Sequence, residues 1–211
     1  MECRRTANAG VLLKLDGITI LLDGVSRPTA HYYGTPDAVK EELYTCPPDI
    51  LAFTHGHMDH FDRSFAQTMY HKTLRSILGP EGLLKEGGIC QPVKAGNVTV
   101  SPIPSRHIGK AGQNVNHVSY LIEGSQRILF SGDAAPTQFR DLQVDVLIAP
   151  YAWALTPSAW QLAARVAKKL VLVHLPDPGN DPAGLWQQVK TVTAAAGPEL
   201  FIPTMEQTII L

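Results

Sequence analysis

The stretch "THGHMDHF", residues 54–61, places three histidines and an aspartate within eight positions, at the end of the apolar run "DILAFT". That run reads as a buried strand, so the cluster sits at the strand's carboxyl end. There the backbone is still near extended, and His55 and His57, two residues apart, project to one side and close on a single cation. Asp59 and His60 follow where the chain turns toward a helix, and they face a neighbouring position. Burying four such groups without a metal would cost on the order of several kcal/mol in unsatisfied or like-charged atoms. Two cations roughly 3.5 to 4 Å apart form a known arrangement for activating a bridging water and gripping a scissile group. Such a pair needs more protein ligands than this stretch holds, so the fold has to bring the rest from elsewhere in the chain.

The remaining pattern alternates short β signals with helices. "VLLKLDG" and "ITILLDG" predict a hairpin about Asp16-Gly17. Thr35, Pro36 and Asp37 predict a helix running to about Tyr44, with the proline at its first position. A second helix is expected near residues 62–70, then a turn region rich in Gly and Pro, then the strands "NVTVSPIP", "HVSYLIEG" and "RILFSGD". "VDVLIAP" and "LVLVHLP" are further strands around a helix opened by Thr156-Pro157, with Trp160, Ala163, Ala164 and Ala167 on one face. Asp181-Pro182 starts a last helix with Leu185, Val189, Val192 and Ala196 in one stripe, stopped by Gly197-Pro198. Hairpins in each half with helices interposed argue for two packed sheets with helices outside, in a single domain over residues 1–211.

Composition narrows the function classes. With 211 residues, 45% of them hydrophobic, the chain can bury a full core. Eighteen basic against nineteen acidic residues, without a basic run, give no support to nucleic-acid binding. The uncharged stretch 146–164 is long enough to suggest a membrane span, but Pro150, Thr156, Pro157, Ser158 and Gln161 interrupt it. Three scattered cysteines, Cys3, Cys46 and Cys90, form neither a disulfide framework nor a CxxC pair, and the N-terminus lacks a signal-like apolar stretch. Both observations favour a reducing, cytoplasmic compartment.

Three residues stand behind other strands as the cluster stands behind "DILAFT": His107, Asp133 and His174. With "ILLDG", "THGHMDHF", "SRHIG", "FSGDA" and "VLVHLPD" in this order, the chain resembles the metallo-β-lactamase-fold hydrolases over nearly its whole length. The resemblance implies an α+β, four-layer αβ/βα sandwich of two mixed sheets. It implies that His55, His57 and His107 hold one metal ion, that Asp59, His60 and His174 hold the other, and that Asp133 bridges them. It also implies that Asp23 supports the motif loop, the alternative being that it only caps its own turn. Histidine and carboxylate ligands suit Zn(II), with Fe or Mn as alternatives. Met58 is expected to pack rather than bind, and Gly56 to turn with positive φ. His31, His71 and His117 are read as structural histidines.

Two divalent ions, a bridging hydroxide and the carboxylates of Asp59 and Asp133 sum to roughly +1, which favours an anionic or polarised small substrate and makes the hydroxide the nucleophile. Arg106 and Lys110, beside His107, either bind a distal carboxylate or phosphate or are solvated loop charges. The loop 24–37, with Gly24 and Gly34 as hinges and Tyr32 and Tyr33 as large amphipathic rings, either walls the pocket with Tyr151 and Trp153 or packs on the sheet edge. Among relatives, the chain resembles the compact branch that includes L-ascorbate-6-phosphate lactonase-like and other metal-dependent hydrolases, acting on an ester, lactone or phosphodiester. The alternatives are an iron-dependent redox enzyme of the persulfide dioxygenase type and a non-catalytic metal-binding sensor.

Overall fold

A computed structural model describes residues 1–29, 32–109, 114–192 and 197–211. Asp16 and Gly17 have φ of 52° and 81°, and this doubly left-handed turn matches the twist of flanking strands. It folds β2 (Val11–Leu15) onto β3 (Ile18–Leu22), with Leu15 opposite Ile18 as the hairpin requires. β1 (Glu2–Arg5) adds antiparallel to β2. It was not anticipated, because its charged sequence hides an alternation in which Cys3 and Arg5 are buried. From β3 the chain crosses through α1 (Asp37–Thr45) to the parallel strand β4 (Ile50–Ala52), then through α2 (Arg63–Thr73) to β5 (Ile77–Leu78) and β6 (Gly88–Ile89).

The second sheet repeats this plan. β7 (Val93–Ala95), β8 (Val98–Ser105), β9 (His117–Glu123) and β10 (Arg127–Phe130) pair antiparallel in succession; β11 (Val144–Pro150), β12 (Ala167–Val173) and β13 (Glu199–Phe201) follow in parallel. The chain then returns as β14 (Thr208–Ile210) to the edge of the first sheet beside β1. Each sheet so has seven strands.

Period-two burial explains the layering. In β4, Ile50 and Ala52 face the space between the sheets while Leu51 faces the helices; in β11, Val146 and Ile148 face inward while Leu147 and Ala149 face out. Strands buried on both faces read as continuous apolar runs, which is why "DILAFT" and "VDVLIAP" lack alternation. α1 and α2 cover the first sheet with Val39, Leu43, Phe65, Ala66 and Met69. The second is covered by α3 (Ala152–Leu155), α4 (Pro157–Val166) and α5 (Leu185–Val192). The chain therefore forms the α+β four-layer sandwich. No helix among the described residues is long and apolar enough to cross a membrane.

Several local expectations need correction. Pro36 is the residue before α1 rather than its first, and α2 runs three residues beyond the expected end, to Thr73. The turn region contains the short strands β5 and β6. Ala167 begins β12 instead of ending α4, and Ala164 is exposed. Asp181 does not start a helix; its carboxylate accepts from the backbone N–H groups of Leu185 and Trp186 and so caps α5. Val189 is the buried residue of that stripe, Val192 is exposed, and Ala196 lies outside the described residues.

Candidate metal centre

The loops leaving β3, β4, β8, β10 and β12 meet at one edge of the sandwich. Asp23 follows β3 directly and is fully buried; its carboxylate accepts from the Thr54 backbone N–H at 2.7 Å, the Thr54 hydroxyl at 2.5 Å and His60 Nδ1 at 2.8 Å. This grip draws the motif loop back onto the first sheet. The loop turns where His60 and Phe61 donate to the His57 carbonyl. From the second sheet, Gly132 (φ 51°) delivers Asp133, and a Cβ there would stand 2.6 Å from the Thr54 side chain, so only glycine fits. His107 bridges to Ala134, and Ile108 donates to the Asp133 carbonyl, locking these two loops together. His174 has φ 68°, a strained conformation for a non-glycine residue, and its N–H donates to the Asn8 carbonyl.

All seven expected ligands are brought together. Ligand atoms of His55, His57 and His107 lie within 4.8 Å of one another, as do those of Asp59, His60 and His174. Asp133 Oδ2 lies 3.4 Å from His60 Nε2, 3.6 Å from His107 Nε2 and 3.7 Å from His174 Nε2, so it touches both groups. Asp59 Oδ2 is 3.2 Å from His174 Nε2.

The hydrogen bonds assign the imidazole protons. The hydroxyl proton of Thr54 goes to Asp23, so its 3.0 Å contact with His55 Nδ1 is donated by the ring. His60 Nδ1 donates to Asp23, and His107 Nδ1 to the Ile108 carbonyl at 2.6 Å. In His55 and His107 this leaves Nε2 as the acceptor of the neutral ring, and in His60 Nε2 faces Asp133 Oδ2 at 3.4 Å. His57 presents Nδ1 instead, 2.9 Å from His55 Nε2. His174 is held by Asn8, whose Oδ1 accepts from Arg5 at 3.4 Å and whose Nδ2 therefore donates to His174 Nδ1 at 3.1 Å, so Nδ1 is the acceptor of this ring. The Nε2 atoms of His60, His107 and His174 and Oδ1 of Asp133 are buried without any hydrogen-bond partner. Buried polar groups are rarely left so, and these converge on one place with donor chemistry suited to divalent metal ions.

Charge reinforces the arrangement. Burial works against the Asp133 carboxylate, yet the charge of His60 above all, with His174 adding to it, outweighs this and holds the group well below the usual range. Asp59 is likewise desolvated, but the His174 ring, whose Nε2 stands 3.2 Å from its carboxylate, and the charge of His60 bring it to about 2. Burial opposes a proton on His60, and Asp133 and Asp23 overcome it, holding the imidazolium well above its ordinary range. His55 is pushed well below 6.5 by burial and by His60, and His57 is lowered by burial and by His107. Both are thus neutral and ready to donate lone pairs.

The expected substrate contacts divide. Tyr32 is half-buried, edge-on to the His174 ring at 5.0 Å, and hydrogen-bonds Tyr151, which lies 6.3 Å from the same ring. Tyr33 is 62% exposed. Trp153 is a correction: it is fully buried under the second sheet, stacked on Phe139, and its indole donates to the Ala134 carbonyl, so it braces the Asp133 loop and cannot face a substrate. The Arg106 side chain is exposed, while its backbone is tied to Gln138 and Ala135. Lys110 and His31 lie outside the described residues. Met58 does not pack as expected, being 44% exposed, although its carbonyl receives the Arg27 N–H. Gly56 has no positive φ. His71 is exposed on α2.

Sequence reasoning missed Asn8 and His117. His117 is buried among the rings of His55, at 5.0 Å, and His107, at 5.7 Å, and burial together with His107 lowers it to about 3. A signal was available: His107 lies just past the end of β8 and His117 opens the antiparallel β9, so the two stand at the same sheet edge.

A two-sheet αβ/βα sandwich with histidine and aspartate loops meeting at one edge defines the metallo-β-lactamase fold. The sequence pattern of the β-lactamase superfamily domain matches residues 6–181, and the chain belongs to that family of metal-dependent hydrolases. No curated protein sequence matches it. Among solved structures it is similar to Igni18, a metallo hydrolase from Ignicoccus hospitalis, at 17% identity over 99% of this chain and 97% of that one, with a TM-score of 0.64. It is similar to the metallo-β-lactamase-fold protein YhfI from Bacillus subtilis at 20% identity, covering 96% and 91% of the two chains, with a TM-score of 0.65. CmlA, a diiron β-hydroxylase from Streptomyces venezuelae, is 15% identical; all of this chain covers 54% of CmlA, with a TM-score of 0.64. These likenesses show the fold.

Proposed function

We propose that the chain is a dinuclear metal-dependent hydrolase of a small, anionic ester, lactone or phosphodiester. The observation that supports this best is the convergence of buried imidazole nitrogens without hydrogen-bond partners on Asp133 Oδ2 from both sheets. His55, His57 and His107 would hold one ion, Asp59, His60 and His174 the other, with Asp133 between. Two bound divalent ions, Zn(II) in the first instance, supply a Lewis acid and a water of lowered pKa as nucleophile. Asp133 and Asp59, ionised throughout the physiological range, would be available to accept that water's proton. Tyr32 and Tyr151 wall the His174 side. Tyr32 also lines a cavity of about 230 Å³ with Pro176, Asn180, Asp181, Pro182, Ala183 and Leu185, a volume suited to part of a small molecule. None of the clustered histidines lines this cavity; Tyr32, edge-on to His174, is what links it to the cluster. The exposed Arg106 is available at the rim for a substrate anion. The resemblance to L-ascorbate-6-phosphate lactonase-like hydrolases makes lactones the first substrates to try. Three unpaired cysteines, two of them exposed, fit a cytoplasmic location.

An iron redox reading is favoured by one observation, that a diiron β-hydroxylase shares the fold. Elemental analysis of gently purified protein, coupled to a screen of lactone, thioester and phosphodiester substrates, separates the two. Two equivalents of zinc with hydrolysis supports the proposal. One equivalent or none after reconstitution removes the dinuclear mechanism, and iron with no hydrolysis favours the second reading. Asp133→Ala should then abolish turnover while shifting Tm far less.

A further inference from the structure

The rings expected to hold metal are not all tethered alike. In His55, His60 and His107 the partner of Nδ1 is an oxygen that accepts the ring's proton. His174 meets a donor instead. Asn8 Nδ2 stands 3.1 Å from His174 Nδ1, and an amide nitrogen can only donate, so Nδ1 accepts and carries no proton. Arg5 fixes which way round that carboxamide lies. Its Nη2, a donor only, reaches Asn8 Oδ1 at 3.4 Å and also the carbonyls of Asn8 and Leu175. Its Nε and Nη1 donate to the carbonyls of Ala7 and Pro203, so the buried guanidinium is held from several sides. Turning the carboxamide over would set its NH₂ against a group that has only protons to offer. Asn8 is itself buried, in a turn closed by the Thr6 and Ala7 N–H groups on the Gly10 carbonyl, and its own carbonyl takes the His174 N–H at 2.9 Å. The proton of the neutral His174 ring therefore lies on Nε2, which faces Asp59 Oδ2 at 3.2 Å and Asp133 Oδ2 at 3.7 Å. A donor points at these carboxylates where a metal ligand needs a lone pair.

We propose that Asn8, fixed by Arg5, is a positioning residue that withholds the ligand tautomer of His174, so that the second ion binds there only after the Asn8 carboxamide turns over. A ring that binds metal through Nε2 carries its proton on Nδ1, and the partner of Nδ1 decides whether it can. The inference rests on the metal-centre reading above. It makes the two sites unequal: His55 and His107 need no change of proton to receive the first ion, while Arg5 opposes the change that His174 needs for the second. Loading is then sequential, with the His174 site last.

The test uses the full chain. In the metal-free protein, the ring nitrogen chemical shifts of His174 should show the proton on Nε2. Chelator competition with zinc then gives the affinity of each equivalent. Asn8→Asp puts an acceptor opposite Nδ1 and keeps one for Arg5; it should move the His174 proton to Nδ1 and tighten the weaker equivalent about 10–100-fold, leaving the tighter one unchanged. Asn8→Ala removes the opposing donor without adding charge, and should shift the same equivalent in the same direction by a smaller factor. If neither variant folds, the wild-type tautomer decides. A wild-type ring protonated on Nδ1, or a weaker equivalent that is unchanged or weakened further in both variants, would overturn this inference while two bound ions left the metal-centre reading standing. No metal taken up by the wild type or by either variant would overturn both.

Discussion

Asp23→Asn tests the proton assignments most directly. The carboxylate accepts three hydrogen bonds, and through Thr54 and His60 it fixes which nitrogen of His55 and of His60 is bare. An asparagine keeps one oxygen for the Thr54 N–H and puts an NH₂ where the second oxygen stood. That NH₂ faces two donors. Relief comes if Thr54 accepts from the amide and turns its own proton onto His55 Nδ1, and if His60 moves its proton to Nε2. Both ligands then present N–H where a lone pair is needed. Loss of such a supporting partner costs about 10–100-fold in affinity, about 1.4–2.7 kcal/mol, and here it should fall on both ions. Stability of the metal-free protein should respond less. Burial raises the Asp23 carboxylate despite His60 and Thr54, so the charge is itself costly and its removal offsets much of the lost bonding. The assay is chelator competition with zinc, alongside urea denaturation of the metal-free protein. An Asp23→Asn variant that binds two equivalents with wild-type affinity would refute the tautomer argument.

Other expectations follow from single residues. Gly132→Ala should lower metal-free stability by at least about 1–2 kcal/mol, from the left-handed φ and the approach to Thr54, and a thermal melt reads it directly. Asp59, brought to about 2 from 3.8, contributes stability present above about pH 4 and lost as the pH falls toward 2. In the metal-free state the gap in unfolding free energy between wild type and Asp59→Asn should close across that window; a constant gap would contradict the assigned shift. Tyr32→Ala should raise KM or alter substrate preference at unchanged metal content, and identical kinetics on every substrate turned over would place Tyr32 outside the pocket.

The centre was legible because its ligands follow strands whose apolar runs announce themselves: Ile50–Ala52 before His55, Arg127–Phe130 before Asp133, Ala167–Val173 before His174. What stayed hidden depends on contacts distant in sequence. β1 is a strand because β2 and β14 flank it, and its charged residues give no local sign of that. Trp153 and Tyr151 sit two residues apart in one aromatic segment, yet one turns into the helix layer and the other toward His174. Nothing local separates them, since both follow β11 at the turn into α3, and only the position of Phe139 and the Ala134 carbonyl decides. His117 was passed over for a related reason, because a histidine that opens a strand reaches the ligand edge only when its antiparallel partner is known.

The expected ligands are split between the two layers of strand. His55, His57, Asp59 and His60 hang from the first sheet, and His107, Asp133 and His174 from the second. Apart from side-chain packing, the sheets are joined there by few direct bonds, such as Val118 N–H to the Thr54 carbonyl and the Tyr120 hydroxyl to the Phe53 carbonyl. A metal ion gripped from both sides acts as a rivet through the open end of a hinged book. Peeling one sheet from the other along that edge then requires coordination bonds to break, so metal should slow amide exchange at the ends of β4, β9 and β10 far more than at β7 or β13. The reaction centre would double as the fastening that keeps its own two halves in register.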